Sequence, residues 1–461
     1  MIPEILLVLA VLVVVAYLII NKYHPALSLI MGGLVLLLGA WALGHPLYAK
    51  GKGAGFGLFD VVMVFKDTIL AQVSSAGIVI MVLFGYSAYM SKIGANDVAV
   101  NYMVRPLRHI KHKTLIVPAV FLVGNIMSLV VPSASSLAII LMSILYPVLV
   151  GMGVSSLTAA GVIACTATIM PTPLGADNVI AAKTLKYDLL DYVAYNAKIS
   201  IPALLIMALV HFFWQQWCDK REGADAFVEL ASKEEAIPSQ EQVAEVPGYY
   251  AIFPLLPLIL ILGIGVAAMF LKGLTMDITV LTFIAFFIVM IVESCRRRSF
   301  KSAQAVAVEM IKGMGTGFSQ VVMLVVGGAL FTTGIQKLGL IDALNKSVEG
   351  STGAGLMVAL IFALATCLFG ILSGGGLAMF YAVIALIPGI AAAAGVGGIV
   401  IALPMQMIAN LTRGISPVAA VIMIVAATIK VEPTKILKRT CVPAIAGILC
   451  VLVLSFILLP Y

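Results

Sequence analysis

The chain has 461 residues, 62% of them hydrophobic and 11% charged, with a formal net charge of +7 and a mean hydropathy of +1.14. Soluble domains are near half apolar and a quarter charged. The composition therefore excludes a soluble enzyme, a disulfide-stapled scaffold, a disordered chain and a catalytic domain on one anchor, and it identifies an all-α polytopic membrane protein.

A bilayer crossing takes about 20 apolar residues, and the chain divides by that rule. The opening Met1-Ile2-Pro3-Glu4 has no basic run before the first apolar stretch and no small-residue cleavage site after it. Residues 4–21 thus read as a retained first helix. Further crossings are expected at 26–44 and 74–91, with 55–72 as an interfacial helix. Two short apolar arms, 114–131 and 137–150, are split by Pro132-Ser133-Ala134-Ser135-Ser136. A run over 155–186 is broken at Pro171-Thr172-Pro173-Leu174-Gly175-Ala176, and 191–214 closes the first half. Residues 215–248 carry three basic and eight acidic side chains and read as a solvated cytoplasmic linker.

The second half repeats this order. Crossings are expected at 250–271, 277–293 and 318–335, with 301–317 interfacial. The arms 354–371 and 377–394 are split by Ser373-Gly374-Gly375-Gly376. A run over 397–430 is broken around Thr412-Arg413-Gly414, and 436–459 ends the chain. Lys92-Ile93-Gly94 with Asp97 recurs 245 residues later as Lys337-Leu338-Gly339 with Asp342. Ser136-Leu137-Ala138 recurs as Gly376-Leu377-Ala378, Gly175 as Gly414, and Lys198 with Pro202 as Arg439 with Pro443. The shared order of breaks points to duplication of 1–214 as 249–461.

Arms this short suit re-entrant hairpins. Each repeat then has five net crossings, an odd number, and the second repeat is inverted relative to the first. On that count, Lys and Arg on the side opposite the termini outnumber those on the terminal side by eighteen to nine. Basic loops stay in the cytoplasm, so both termini are expected in the periplasm. The net positive charge is then an orientation signal and implies no nucleic-acid partner.

No CxxC, HExxH or phosphate-binding GxxxxGK[ST] occurs. No metal, cofactor or ATP-driven chemistry is expected, and no catalytic residue. Of the charged residues, Asp177 and Arg413 fall near the middle of apolar runs, each beside a break. Charges at membrane depth mark functional sites by default. A guanidinium is always ionised, and its planar fork matches a carboxylate. Arg413 is the expected anion anchor, the alternative being a structural pair with Asp177. Asp177 is a candidate for a coupling proton or cation, or simply for neutralising Arg413.

Helices that restart inside the membrane present free N–H groups and a positive dipole end. Such starts are expected near residues 137, 177, 377 and 417, a setting suited to an anion. Ser133, Ser135, Ser136, Thr172, Asn178, Asn410, Thr412 and Ser416 add donors and acceptors, and Gly374, Gly375 and Gly376 allow close backbone approach. The plainer reading is that small residues at these positions only serve helix packing.

The stretches Gly85-Tyr86-Ser87-Ala88-Tyr89-Met90, Met127-Ser128-Leu129-Val130-Val131-Pro132-Ser133, His211-Phe212-Phe213-Trp214-Gln215-Gln216, Asn410-Leu411-Thr412-Arg413-Gly414-Ile415-Ser416-Pro417 and Lys438-Arg439-Thr440 resemble the anaerobic C4-dicarboxylate transporter family DcuC along essentially the whole chain. The resemblance implies an ion-transporter superfamily fold. That means inverted repeats, a re-entrant hairpin in each, a scaffold of 4–91 and 250–335, and an elevator-type transport domain of 114–186 and 354–430. It also implies a homodimer in a bacterial inner membrane that handles succinate, fumarate, malate or aspartate by succinate efflux or fumarate–succinate exchange. Sodium-coupled members of that superfamily carry Ser-Asn-Thr at both hairpin tips. Here the tips read Ser133-Ala134-Ser135 and Ser373-Gly374-Gly375, which leaves proton coupling or pure exchange open beside Na+. The rival cargo on the same fold is gluconate, citrate or another organic anion. An intramembrane enzyme would need a nucleophile–base pair at depth, where no His occurs, and paired broken helices argue against a passive channel.

Overall fold

A computed structural model of the chain describes residues 2–460 apart from 22, 50–51, 111–112, 224–245, 271–276 and 341–353. The centre of the expected linker, Asp342, Lys22, Lys50, Lys111, Lys233, Lys272 and Lys346 lie outside the described residues. All regular structure among the described residues is helical. In hydrocarbon a backbone must satisfy its own donors and acceptors, and a helix does so within one segment.

The first repeat runs α1 (Ile2–Ile20), α2 (Pro25–Ala42), α3 (Gly57–Gln72), α4 (Ile78–Lys92), α5 (Ala95–Val104), α6 (Lys113–Met127), α7 (Ala134–Ile144), α8 (Tyr146–Gly151), α9 (Ser156–Ala164), α10 (Ala176–Leu185) and α11 (Leu189–Glu222). The second runs α12 (Leu256–Phe270), α13 (Ile278–Arg297), α14 (Phe300–Gly317), α15 (Met323–Lys337), α16 (Ala354–Ser373), α17 (Leu377–Val383), α18 (Ile387–Ala393), α19 (Gly398–Leu411), α20 (Ala420–Thr428) and α21 (Pro433–Leu458). Local chemistry sets many of the starts. The Asp188 carboxylate accepts from the Leu190 N–H at 2.8 Å, the Asp277 carboxylate from the Thr279 N–H at 2.7 Å, and the Ser299 hydroxyl from the Ser302 N–H at 3.3 Å, all ordinary N-caps.

The duplication is visible in backbone detail. One π-helical turn, Val73–Gly77, joins α3 to α4, and another, Phe318–Val322, joins α14 to α15. Their 245-residue spacing is that of Lys92 and Lys337. Behind those lysines Gly94 and Gly339 sit at φ +76° and +73°, the left-handed residue that ends a helix and that a side chain would strain. The closing helices α11 and α21 are equivalent and run antiparallel: the Trp214 indole N–H donates to the Lys438 carbonyl at 2.9 Å, while Met207 packs on Gly447. Equivalent helices in opposite directions make the repeats inverted.

Nine helical stretches among the described residues are long and apolar enough to cross a bilayer. Eight are the unbroken helices of the two repeats. The ninth is α16, at 20 residues longer than the re-entrant arm the sequence suggests. Its turn nevertheless lies inside the bundle. A methyl group on Gly374 would sit 2.7 Å from the Val418 carbonyl in the break between α19 and α20, and one on Gly376 2.6 Å from the Ala409 Cα.

Three expectations are corrected. The segments 55–72 and 301–317 are no separate interfacial helices but the leading parts of continuous helices, Gly57–Lys92 and Phe300–Lys337. Gly313 and Gly317 let α14 close onto Phe84, Gly85 and Ala88 of α4, which packs one face of α14 against the bundle. Helix α11 runs on to Glu222, so residues 215–222 are helix and not linker. The matches of Gly175 with Gly414, Ser136 with Gly376 and Lys198 with Arg439 are not structural equivalences. Gly175 precedes α10, whereas Gly414 closes a 3-10 turn after α19. Helix starts place equivalent residues 242 to 244 apart here: 156 with 398, 176 with 420, 189 with 433.

Candidate functional site

Each hairpin arm is seated on the helix break of its own repeat. Gly124 of α6 lies against Thr166. The next residue, Asn125, accepts at its side-chain oxygen from the Thr168 N–H at 3.0 Å and the Thr168 hydroxyl at 2.8 Å. In the second repeat Gly370 of α16 lies against Thr412, and the Ser416 hydroxyl donates to the Ile371 carbonyl at 2.7 Å. These bonds use backbone groups that the breaks leave free and that burial would otherwise strand.

The two seats leave a cavity of about 620 Å³ between them. The first hairpin turn lines it at 132–136, the first break from Ala167 to Asn178, the second hairpin at Gly374, Leu377 and Tyr381, α19 at Gln406 and Asn410, and the 3-10 turn after it at Arg413. Ser87 and Ser91 of α4 and Gln320 of the second π turn form the opposite wall. The first residues of α7, α10 and α20 also reach the cavity, so three helix N-termini bring free N–H groups to it.

Arg413 and Asp177 both line this space and both are half-buried. The Arg413 guanidinium donates to the Ala167 carbonyl at 3.4 Å, and its remaining N–H groups have no partner among the described residues. Asp177 accepts from the Asn410 amide at 2.9 Å and from the Asn178 N–H at 3.1 Å. No ion pair joins the two, so the structural-pair alternative for Arg413 is not what the structure contains. Nor are they equivalent: Asp177 is in the first turn of α10, Arg413 in the 3-10 turn that ends α19.

An amide network at the cavity wall ties the repeats together. The Asn178 side-chain oxygen accepts from Asn196 at 2.9 Å and from Gln406 at 2.8 Å. The Tyr192 hydroxyl donates to Gln406 at 2.6 Å, and the Asn178 amide donates to the Thr172 carbonyl at 2.9 Å.

Of the residues singled out in the sequence, Ser133, Ser135, Ser136, Thr172, Asp177, Asn178, Gly374, Asn410 and Arg413 line the cavity. Four do not. Thr412 and Ser416 are fully buried and bond the Ala409 and Ile371 carbonyls. Gly376 packs on Ala409, and the Gly375 carbonyl accepts from Ser373 at 3.2 Å. Their work is to seat the second hairpin. Helix starts expected at 137 and 417 fall at Ala134 and Ala420, because the Ser133 hydroxyl accepts from the Ser136 N–H and the chain stays irregular through Pro417 and Val418.

Tyr192, Asn196, Gln406, Tyr381 and Gln320 were not singled out, since one polar residue in an apolar helix is common. The fully buried charged side chains among the described residues are Glu293 and Arg439, at the ends of apolar runs. Arg439 of α21 donates to Asp219 at 2.7 Å and to Thr158 at 2.8 Å and pairs with Glu222. It thereby binds α11, α9 and α21 together.

Comparison with known proteins agrees with this architecture. The profile of a family described as C4-dicarboxylate anaerobic carrier, DcuC, matches residues 2–460. The anaerobic C4-dicarboxylate transporter DcuC of Escherichia coli K12 is 33% identical over 460 residues, covering 99% of this chain and 97% of that one. The probable anaerobic C4-dicarboxylate transporter DcuC of Vibrio cholerae is 33% identical over 461 residues, covering 99% and 98%. Among solved structures, Neisseria gonorrhoeae MtrF, described with a class of antimetabolite efflux pumps, superposes with a TM-score of 0.61 at 13% identity over 96% of this chain and 97% of that one. The Alcanivorax borkumensis YdaH transporter gives 0.64 at 14% identity over 94% and 98%. At such identities the two structures speak for the fold alone.

Proposed function

The chain belongs to the DcuC family of C4-dicarboxylate anaerobic carriers, and on that premise we propose that it is a secondary transporter of succinate, fumarate, malate and aspartate. The observation that carries this reading is Arg413, a half-buried guanidinium with free donors in a cavity at the meeting point of two hairpin turns and two helix breaks. Arg413 holds one carboxylate. Ser133, Ser135, Ser136 and the Gly374 backbone receive the other, helped by the N-termini of α7, α10 and α20.

The hairpins and broken helices move as one transport domain against a scaffold of 4–91 and 250–335. Support comes from where most of the tight seats lie. Gly33 and Gly327 close α2 on α15 within the scaffold, Gly124, Gly370 and Gly376 close the hairpins on the breaks, and Gly328 of α15 is the seat that joins the two parts, against Ala382. The Arg439 bonds add α11 and α21 to the moving part. Both termini are periplasmic in a bacterial inner membrane, and two copies associate. The mode is succinate efflux or fumarate–succinate exchange without sodium, since neither hairpin turn carries Ser-Asn-Thr.

Counterflow in proteoliposomes tests this. Vesicles loaded with unlabelled succinate should take up labelled fumarate, independently of external sodium, and empty vesicles should not. Sodium-driven uptake into empty vesicles would replace exchange by coupled import. Competition by gluconate or citrate but not by succinate would move the assignment to another organic anion.

A further inference from the structure

The second hairpin brings to the cavity one polar group that the reading above does not use. Tyr381, in α17, is 6% exposed and lines the cavity together with Arg413 and Asp177. Its hydroxyl has no hydrogen-bond partner among the described residues. A buried tyrosine ordinarily finds one, because stranding a hydroxyl away from water costs free energy. Tyr89 also lacks a partner, but its hydroxyl is sealed inside the protein. The Tyr381 hydroxyl is not among the sealed atoms, so the cavity is the space left to it.

The ring is held firmly. Phe380, fully buried, lies beside it with ring centroids 5.7 Å apart. Gly328 of α15 packs against the Tyr381 carbonyl so closely that a methyl group there would stand 2.7 Å from the oxygen. A phenol packed beside Phe380 on a closely seated backbone, with its hydroxyl left to the cavity, is a preorganised donor, and a carboxylate is the acceptor that gains most from one. The repeats differ here: taking the starts of α7 and α17 as equivalent, the first hairpin carries Ala138, which is fully buried. Only one side of the cavity therefore offers a phenol, the side that also holds Arg413.

We propose that Tyr381 is a substrate-binding residue whose hydroxyl donates a hydrogen bond to the carboxylate that Arg413 pairs with. The inference rests on the transport reading above and adds a second donor on that carboxylate. A guanidinium with a fixed phenol beside it accepts a planar carboxylate in one orientation, which points the remainder of the anion toward the serines of the first hairpin.

Tyr381→Phe removes one oxygen that bonds nothing within the protein, so ring, packing and fold are kept. Counterflow of labelled succinate is measured in wild-type and Y381F proteoliposomes, with the melting temperature of each protein in detergent with and without succinate. In Y381F the KM for succinate should rise about tenfold, equivalent to about 1.4 kcal/mol, with the maximal rate within twofold. The melting temperature without succinate should equal wild type, and the rise that succinate causes should shrink. A wild-type KM in Y381F, or a fall in maximal rate with KM unchanged, would overturn the assignment of Tyr381. Failure of the wild-type protein to exchange succinate would instead overturn the transport reading on which it rests.

Discussion

Arg413 and Asp177 share one cavity without touching. Asp177 is held by the Asn410 amide, while Arg413 makes a single long bond to the Ala167 carbonyl. The cation is thus left with donors to spare, and the anion is fixed by a neutral partner. A site built this way leaves the guanidinium's donors open to an anion, whereas a closed salt bridge would occupy them.

Arg413→Ala should abolish succinate counterflow while the protein remains folded, because the lost side chain makes one protein bond only. Arg413→Lys keeps the charge but loses the planar fork, so transport should survive with KM raised at least about tenfold. Unchanged succinate exchange by Arg413→Ala would end the anchor assignment.

Asp177→Asn should bind dicarboxylates more tightly. A carboxylate on the wall of a dianion site repels its cargo by about 1–2 kcal/mol at an effective dielectric near 20, and the amide keeps the shape. The expected result is a KM for succinate lowered several-fold with an unchanged pH profile of exchange. Loss of transport or a displaced pH profile would identify Asp177 as the proton-carrying group instead.

Arg439→Met should destabilise the protein by about 3 kcal/mol, since Asp219 and Glu222 would keep their charges without their buried partner. Lys438, half-exposed beside Glu222, should cost under about 1 kcal/mol when changed to Ala. Thermal unfolding in detergent compares the two, and equal losses would contradict the weight given to Arg439.

Gly313→Ala should cost about 1–3 kcal/mol. The added methyl would meet Ala88 Cβ at 2.6 Å, the Phe84 carbonyl at 2.7 Å and Gly85 Cα at 2.8 Å, and two of those three atoms are backbone. Gly263→Ala in α12 meets nothing within 4 Å and should be neutral or stabilising by up to about 1 kcal/mol. A lower melting temperature for the α12 variant than for the α14 variant would refute this account of the packing.

Much of the fold was legible because hydropathy and helix breakers act locally. The order of crossings, the two split arms and the two broken helices all follow from runs of apolar residues interrupted by Pro, Gly and Ser. The Lys-x-Gly pair 245 residues apart was legible too, and its reason is physical: each glycine ends a helix at positive φ. The weaker repeat matches failed, since in apolar sequence chance identity is common and only helix starts fix the true spacing.

The site was legible in part. Arg413, Asp177 and the Ser133–Ser136 turn stood out as polar groups where polarity is costly. Thr412 and Ser416 stood out by the same rule, yet Thr412 bonds the Ala409 carbonyl of its own helix, Ser416 bonds the neighbouring hairpin, and neither lines the cavity. Tyr381 and Gln406 went unmarked, because one polar residue in an apolar helix has no signature.

The sequence by itself determined the membrane class, the order of crossings, their breaks, the repeat and an arginine at membrane depth beside a break. These depend on the free energy of moving each segment from water into lipid, which is a sum over neighbours in the chain. Only the tertiary structure decided which face of each broken helix looks into the cavity, and that Arg413 goes unpaired while Arg439 is clasped by Asp219 and Glu222. Those outcomes depend on how far two helices approach and how each is rotated. Both are set where a glycine on one meets a residue far away in the chain, as Gly124 meets Thr166 within a repeat and Gly85 meets the Met310 carbonyl between repeats.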